Sequence, residues 1–187
     1  MQSSRLILLA CLLASPAFAR LGDTLDQAIE RYGMPKTQKP QPWLTPLLEG
    51  AKEQVFEYQG WKIRCAMLLA TDGVSYVVRE EYTKILKPGG SLQITDYERV
   101  AILEGEGGSA SWSAKKVGEL SANPVKLMQN QLAHTFAGQT WTRPDGAVAV
   151  LGLGLTPLRL DLPQAFQHEQ AVKAAKEQKA KAAVPKF

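Results

Sequence analysis

Cysteine and histidine are nearly missing from this chain, which has two of each in 187 residues. Transition-metal sites want several such ligands at workable spacing, and His134, His168, Cys11 and Cys65 do not supply them. No metal and no cofactor is therefore expected. Cys65 lies in the apolar run Ile63 to Leu69, where a buried, inert thiol is the expectation, and neither histidine offers the basic partner that a reactive thiolate needs. The glycine motifs of hydrolases and nucleotide sites are missing too. No Gly-x-Ser-x-Gly elbow occurs, Gly105-Glu106-Gly107-Gly108 lacks the lysine of a phosphate loop, and Gly152-Leu153-Gly154 follows a strand pattern but opens no helix. Gly107-Gly108-Ser109-Ala110-Ser111 reads as a turn entering a strand. No residue is assigned a catalytic role.

Carboxylates offer no convergent pair in the sequence. Glu80 and Glu81 would put one acid on each face of a strand, while Asp96 and Glu98 fall in a helical first turn, where the dipole favours negative charge. Charged side chains are rarely buried, so all four are expected to be solvated.

Only one long apolar run is present, Leu6 to Ala14, preceded by Arg5 and followed by Ser15-Pro16-Ala17-Phe18-Ala19. It is too short to span a bilayer as a helix and has the length of a signal-peptide core. Residues 1-19 are accordingly read as a signal peptide cleaved before Arg20, which makes the mature chain periplasmic or secreted. A second reading takes Leu8-Leu9-Ala10-Cys11, which looks like a lipobox, as the site of lipidation at Cys11 and hence of an outer-membrane anchor. If Cys11 leaves with the leader, Cys65 stays as the only cysteine and no intramolecular disulfide can form.

The formal charge of +4 falls to +3 when Arg5 is removed. All of that excess sits in residues 169-187, where five lysines face Glu169 and Glu177. The body is neutral, so the basic balance does not point to nucleic acid, which would need basic residues clustered on the folded part with aromatics among them. The segment 166-187 reads as a basic, helical or disordered tail that lacks large apolar side chains and cannot dock firmly. A weak contact with an anionic surface is the sharper reading of its lysines.

Between leader and tail, Thr24-Leu25-Asp26-Gln27 has the spacing of a capping box, and Leu25, Ala28, Ile29 and Tyr32 form one helical stripe that Gly33 and Pro35 end. Pro40 to Pro46 reads as an extended connection in which Trp43 plugs the core. From Glu53 the period becomes two. Val55 to Tyr58, a Gln59-Gly60 turn, Trp61 to Leu69, the Asp72-Gly73 turn and Val74 to Tyr82 read as a three-stranded antiparallel meander, with the helix covering its apolar face.

A second capping box at Thr95-Asp96-Tyr97-Glu98 opens a helix expected to stop at Gly105. Ser109 to Lys116 alternates like a strand around Trp112, and Trp141 to Leu151 reads as strand, turn, strand, while 117-138 has no counterpart in the first half. The cap threonines lie 71 residues apart and the Asp-Gly turns 73 apart, which suggests a duplicated unit. The fold class is therefore α+β, a helix packed on an antiparallel β-meander. Its units are 20-90, a helix plus three-stranded meander, and 91-165, a second helix plus β unit, in one compact body.

Gly22-Asp23-Thr24-Leu25, leading through a short helix to Tyr32-Gly33-Met34-Pro35 and then to strands ending in Asp72-Gly73-Val74, resembles the SmpA/OmlA (BamE-like) fold of small outer-membrane-assembly lipoproteins. The same opening is similar to that of uncharacterised exported proteins from bacteria of the planctomycete and verrucomicrobial kind. The resemblance covers residues 21 to 82. Two features depart from it: the preferred cleavage leaves no lipoprotein cysteine, and the chain runs on through a second unit, as in the tandem β-lactamase-inhibitor-protein fold.

The functional expectation is an exported cell-envelope protein that does no catalysis and binds a protein or envelope-polymer partner through one sheet face. Tyr58, Trp61, Tyr76, Trp112 and Trp141 are its candidate contact residues, because exposed aromatics mark interfaces. The alternatives are an envelope hydrolase of unrecognised type and a lipoprotein anchored at Cys11.

Overall fold

A computed structural model describes residues 20-37, 45-107, 110-114, 140-152 and 154-182. The leader with Cys11, the proposed plug Trp43, His134 and the segment 117-138 lie outside the described residues.

The first helix, α1 (Leu25–Tyr32), begins at the predicted capping box. Thr24 Oγ1 accepts from the Gln27 amide at 3.4 Å, and Gln27 Oε1 accepts from the Thr24 amide at 2.8 Å. Gly33 ends it at φ 82°, a conformation that favours glycine. Ala28 and Tyr32 are its buried residues.

Strands β1 (Lys52–Tyr58), β2 (Trp61–Leu69) and β3 (Ser75–Lys84) form the expected meander. At the β2-β3 turn Gly73 sits at φ 80° and Asp72 Oδ1 accepts from the Val74 amide at 2.9 Å, locking the reversal. Helix α2 (Asp96–Gly107) starts at the second capping box but runs through Gly105 to Gly107. The predicted stop fails because Glu106, one residue on, is drawn into the core by side-chain hydrogen bonds that reward another half turn. Short strands β4 (Ser113–Ala114), β5 (Thr140–Thr142), β6 (Val148–Leu151) and β7 (Leu158–Asp161) follow, then helix α3 (Pro163–Ala182).

All seven strands join one antiparallel sheet in the order β1-β2-β3-β7-β6-β5-β4. The fold is thus α+β, with helices packed on an antiparallel sheet. Strand β7 is the hinge of this architecture, since it returns to pair with β3 on one side and β6 on the other. The two Asp-Gly turns share their hydrogen bonding, with Asp145 Oδ1 accepting from the Ala147 amide at 3.1 Å. Each turn joins two adjacent antiparallel strands, β2 to β3 in one case and β5 to β6 in the other.

The pleat divides the interior. On one side α1 and α2 cover Phe56, Ile63, Cys65, Met67, Val77, Tyr82, Leu158 and Leu160 in a continuous core. Each large apolar side chain buried there contributes roughly 1.5–3 kcal/mol. On the other side a smaller cluster of Leu47, Leu48, Ala66, Val78 and Ala165 lies under the first turns of α3. The tail is therefore not wholly undocked, as its composition predicts. Ala165 is buried, His168 Nε2 lies 2.7 Å from the Glu49 carbonyl, and Glu169 Oε1 accepts from Arg79 at 2.5 Å. Polar anchors do what the missing apolar residues cannot, while residues 173-182 are exposed. Among the described residues no helix is long and apolar enough to cross a membrane.

Candidate functional site

Two of the five candidate aromatics meet. Trp112, on the connection from α2 to β4, and Trp141, on β5, line a half-open cavity of about 430 Å³ whose other wall is α2, through Arg99, Val100, Leu103 and Glu104. The pairing of Ala114 with Trp141 carries Trp112 to this end of the sheet. Two guanidinium groups lie on the rings: Arg99 is 4.7 Å from the centre of Trp141, and Arg143 is 5.2 Å from that of Trp112. Arg99 is also held by Asp96 at 2.5 Å, and Arg143 by Asp145 at 2.7 Å, so both cations are fixed before anything binds. The cavity thus offers apolar and aromatic surface, with Arg99 and Glu104 as charged groups of opposite sign.

The remaining candidates lie elsewhere. Tyr58 packs on Tyr32 at 5.5 Å between ring centres, and Trp61 meets Tyr82 edge-on at 6.4 Å, both partly buried on the helix-covered side. Tyr76 donates to Asp72 Oδ2 at 2.7 Å beside the β2-β3 turn, a bond that raises its hydroxyl above the usual tyrosine value. The five do not form one aromatic sheet face, because their registers send four to the side that α1 and α2 cover.

Beneath that core lies a group that sequence reasoning missed. Glu80 and Glu106, from β3 and α2, are both completely buried. Glu80, expected to be solvated, therefore has its acidic partner in Glu106 and not in its neighbour Glu81, which faces the other side and pairs with Arg64 at 3.0 Å. The Tyr82 hydroxyl lies 2.7 Å from Glu106 Oε1 and 3.3 Å from Glu80 Oε2, and the Tyr32 hydroxyl lies 2.8 Å from that of Tyr82. The Leu21 amide donates to Glu106 Oε2 at 3.2 Å, and the Cys65 thiol donates to Glu80 Oε1 at 3.6 Å.

Burial pushes the Glu106 carboxyl up to about 7, against the pull of the Tyr82 and Leu21 donors. Burial, reinforced by the adjacent Glu106, pushes Glu80 well above the ordinary carboxyl range. The Cys65 thiol is raised by burial and then by Glu80, which keeps it protonated and unreactive. Raised carboxyls of this kind suit general acids. Here, however, both are fully covered, and neither lines the cavity, so no substrate reaches them in this conformation. Among the described residues no group of three or more His, Cys, Asp or Glu side chains is placed to hold a metal ion.

Period-two alternation at Glu80 and helical periodicity at Glu106 each identify one face of one element. Their meeting depends on how α2 lies across β3, which neither pattern contains. Comparison of the chain with protein-family models, with curated proteins and with solved structures finds no match.

Proposed function

We propose that this protein is exported to the cell envelope and works there as a non-enzymatic binding module, with the cavity between α2 and β5 as its contact site. The observation that carries this reading is the cavity of about 430 Å³ walled by Trp112, Trp141 and Val100. Binding sites are concave and largely apolar, with a few placed polar groups, and aromatic and arginine side chains dominate contact energies. Arg99 and Glu104 supply the polar groups, and Val100, with Tyr97 one turn away, leaves apolar surface exposed at the rim. The leader pattern supports export, and cleavage before Arg20, where Ala17-Phe18-Ala19 offers small residues at the exit, would give a soluble form in place of one anchored at Cys11.

Affinity capture from envelope extract, with the full chain as bait, tests the reading. Val100→Glu puts a charge on the exposed rim without touching the core. A partner captured by the natural chain and lost with this variant is the expected result. Equal capture by both would remove the cavity from consideration, and a diacylglyceryl group on Cys11 in the mass spectrum would replace the soluble form with the anchored one.

A further inference from the structure

Neither buried carboxyl has an ion-pair partner among the described residues, although four elements crowd around them. From β2 comes the Cys65 thiol, from β3 the Tyr82 hydroxyl, and from α1 the Tyr32 hydroxyl. The segment before α1 brings the Leu21 amide and the nearly buried Asp23, a further negative charge whose own partner is Arg31 at 3.2 Å. The guanidinium of Arg143 donates to the Glu106 backbone carbonyl at 2.6 Å and pairs with Asp145. Its charge is committed elsewhere.

Counting hydrogens gives the protonation state. The thiol, the Leu21 amide and the Tyr82 hydroxyl bring three hydrogens to the four carboxyl oxygens, the Tyr32 hydroxyl bonds to that of Tyr82, and the single Tyr82 hydrogen cannot serve both of the carboxyls it touches. Two carboxylates side by side in this dry setting would leave acceptor positions unmet and two like charges in contact without a cation. One carboxyl proton, shared in the hydrogen bond between Glu80 and Glu106, supplies the missing donor and leaves a single negative charge where there would be two.

We propose that Glu80 and Glu106 form a proton-sharing latch that fastens α2 to the sheet and releases it as the surroundings turn alkaline. The pair links α2 to β3 in the dry interior, beside the more exposed Lys84–Glu98 ion pair at 2.7 Å that joins the same two elements, and Leu21 and Tyr32 tie the segment before α1 and α1 itself to the same point. When α2 lifts, water reaches both carboxyls and they return to ordinary acidity. The bridging O–H then dissociates to solvent, and each opening event releases a proton. No other bond breaks. The opening constant therefore rises about tenfold for each pH unit wherever the closed state keeps one proton that the open state loses. α2 also forms a wall of the Trp112-Trp141 cavity, so the latch governs the shape of that cavity whether or not it binds a partner.

Amide hydrogen exchange of the full chain, measured from about pH 7 to about pH 9 and corrected for intrinsic exchange, tests the latch. The opening constant of α2 amides should rise with pH in the natural protein, by up to about tenfold per unit. Glu80→Gln replaces the shared proton with an amide hydrogen that cannot dissociate, and its opening constant should be flat. An equal slope in the two proteins, or no slope in the natural one, overturns the proposal. If the variant does not fold, infrared spectra of the natural protein with carbon-13-labelled glutamate decide. A protonated-carboxyl band persisting above neutral pH supports the latch, and its absence overturns it.

Discussion

Arg79 on β3 and Asp161 on β7 are register partners across the junction of the two halves, and the guanidinium Nε of one donates to the carboxylate of the other. Both side chains are almost wholly buried. Arg79 Nη1 also reaches the Leu47 carbonyl at 2.9 Å and Glu169 at 2.5 Å, so this one side chain joins the first meander, the 45-51 connection, β7 and α3.

The two members of that pair are not equivalent, and their variants should differ. Asp161 keeps a second partner in Arg159 Nε at 2.9 Å, whereas without Asp161 the buried Arg79 has only the half-exposed Glu169 as counter-charge. Asp161→Ala should lower the unfolding free energy by about 3–5 kcal/mol, since it strands a buried charge. Arg79→Met, which replaces the cation with an apolar chain of similar reach, should cost clearly less. Urea unfolding of both variants at one pH measures the order, and the reverse order would contradict the geometry.

The carboxyl latch has a global consequence of definite sign. Glu106 holds its proton up to about pH 7 in the folded state, while an unfolded glutamate releases it near 4.5. The folded state binds more protons in that window, so stability falls as pH rises through it, and Glu80 extends the fall to higher pH. The loss is on the order of 3 kcal/mol for a carboxyl shifted this far. Glu98, Asp145 and Glu169 act oppositely: lowered in the folded state by their hydrogen bonds and cations, they lend stability that is lost as pH falls below the ordinary carboxylate range. Unfolding midpoints at about pH 5 and about pH 8, compared between the natural chain and Glu106→Gln, should show a smaller drop in the variant.

Truncation should divide α3 in two. A chain ending after Gln170 keeps Ala165, His168 and Glu169 and loses the half-buried Val172 at the edge of the Leu47-Leu48 cleft and the distal Lys176 contact with Glu49, an exposed pair of the kind that contributes about 0–1 kcal/mol. It should unfold at nearly the same denaturant concentration as the full chain. A chain ending at Leu162 uncovers Leu47, Leu48 and Val78 and leaves Arg79 with one counter-charge fewer, and should be markedly less stable. The shorter deletion is also the right one for asking whether the lysines attach the protein to anionic vesicles, because it leaves the body intact.

Local patterns were legible wherever the cause was local. The capping boxes at Thr24 and Thr95, the helix stop at Gly33 and the Asp72-Gly73 turn all stand where the sequence places them, since each involves residues within four positions of one another, although Gly33 at ψ −172° is extended past the left-handed helical cap. Strand β7 was missed. Only Leu158 and Leu160 alternate with polar neighbours there, too short a run to stand out, and it forms because β3 and β6 both present unpaired edges to it. The candidate site was legible in part: Trp112 and Trp141 were singled out, but nothing in the chain announced that Arg99 and Arg143 would lie on their rings.

By itself, the sequence determined what nearest neighbours decide: the helix starts, the hairpin turns, the α+β class, the buried thiol of Cys65 and the scarcity of histidine and cysteine ligands. The tertiary structure alone decided which distant groups share a dry environment. Glu80 and Glu106 became a pair, and Arg79 and Asp161 a buried bridge, because chain crossing brings them together and the loss of water makes their charges and protons matter.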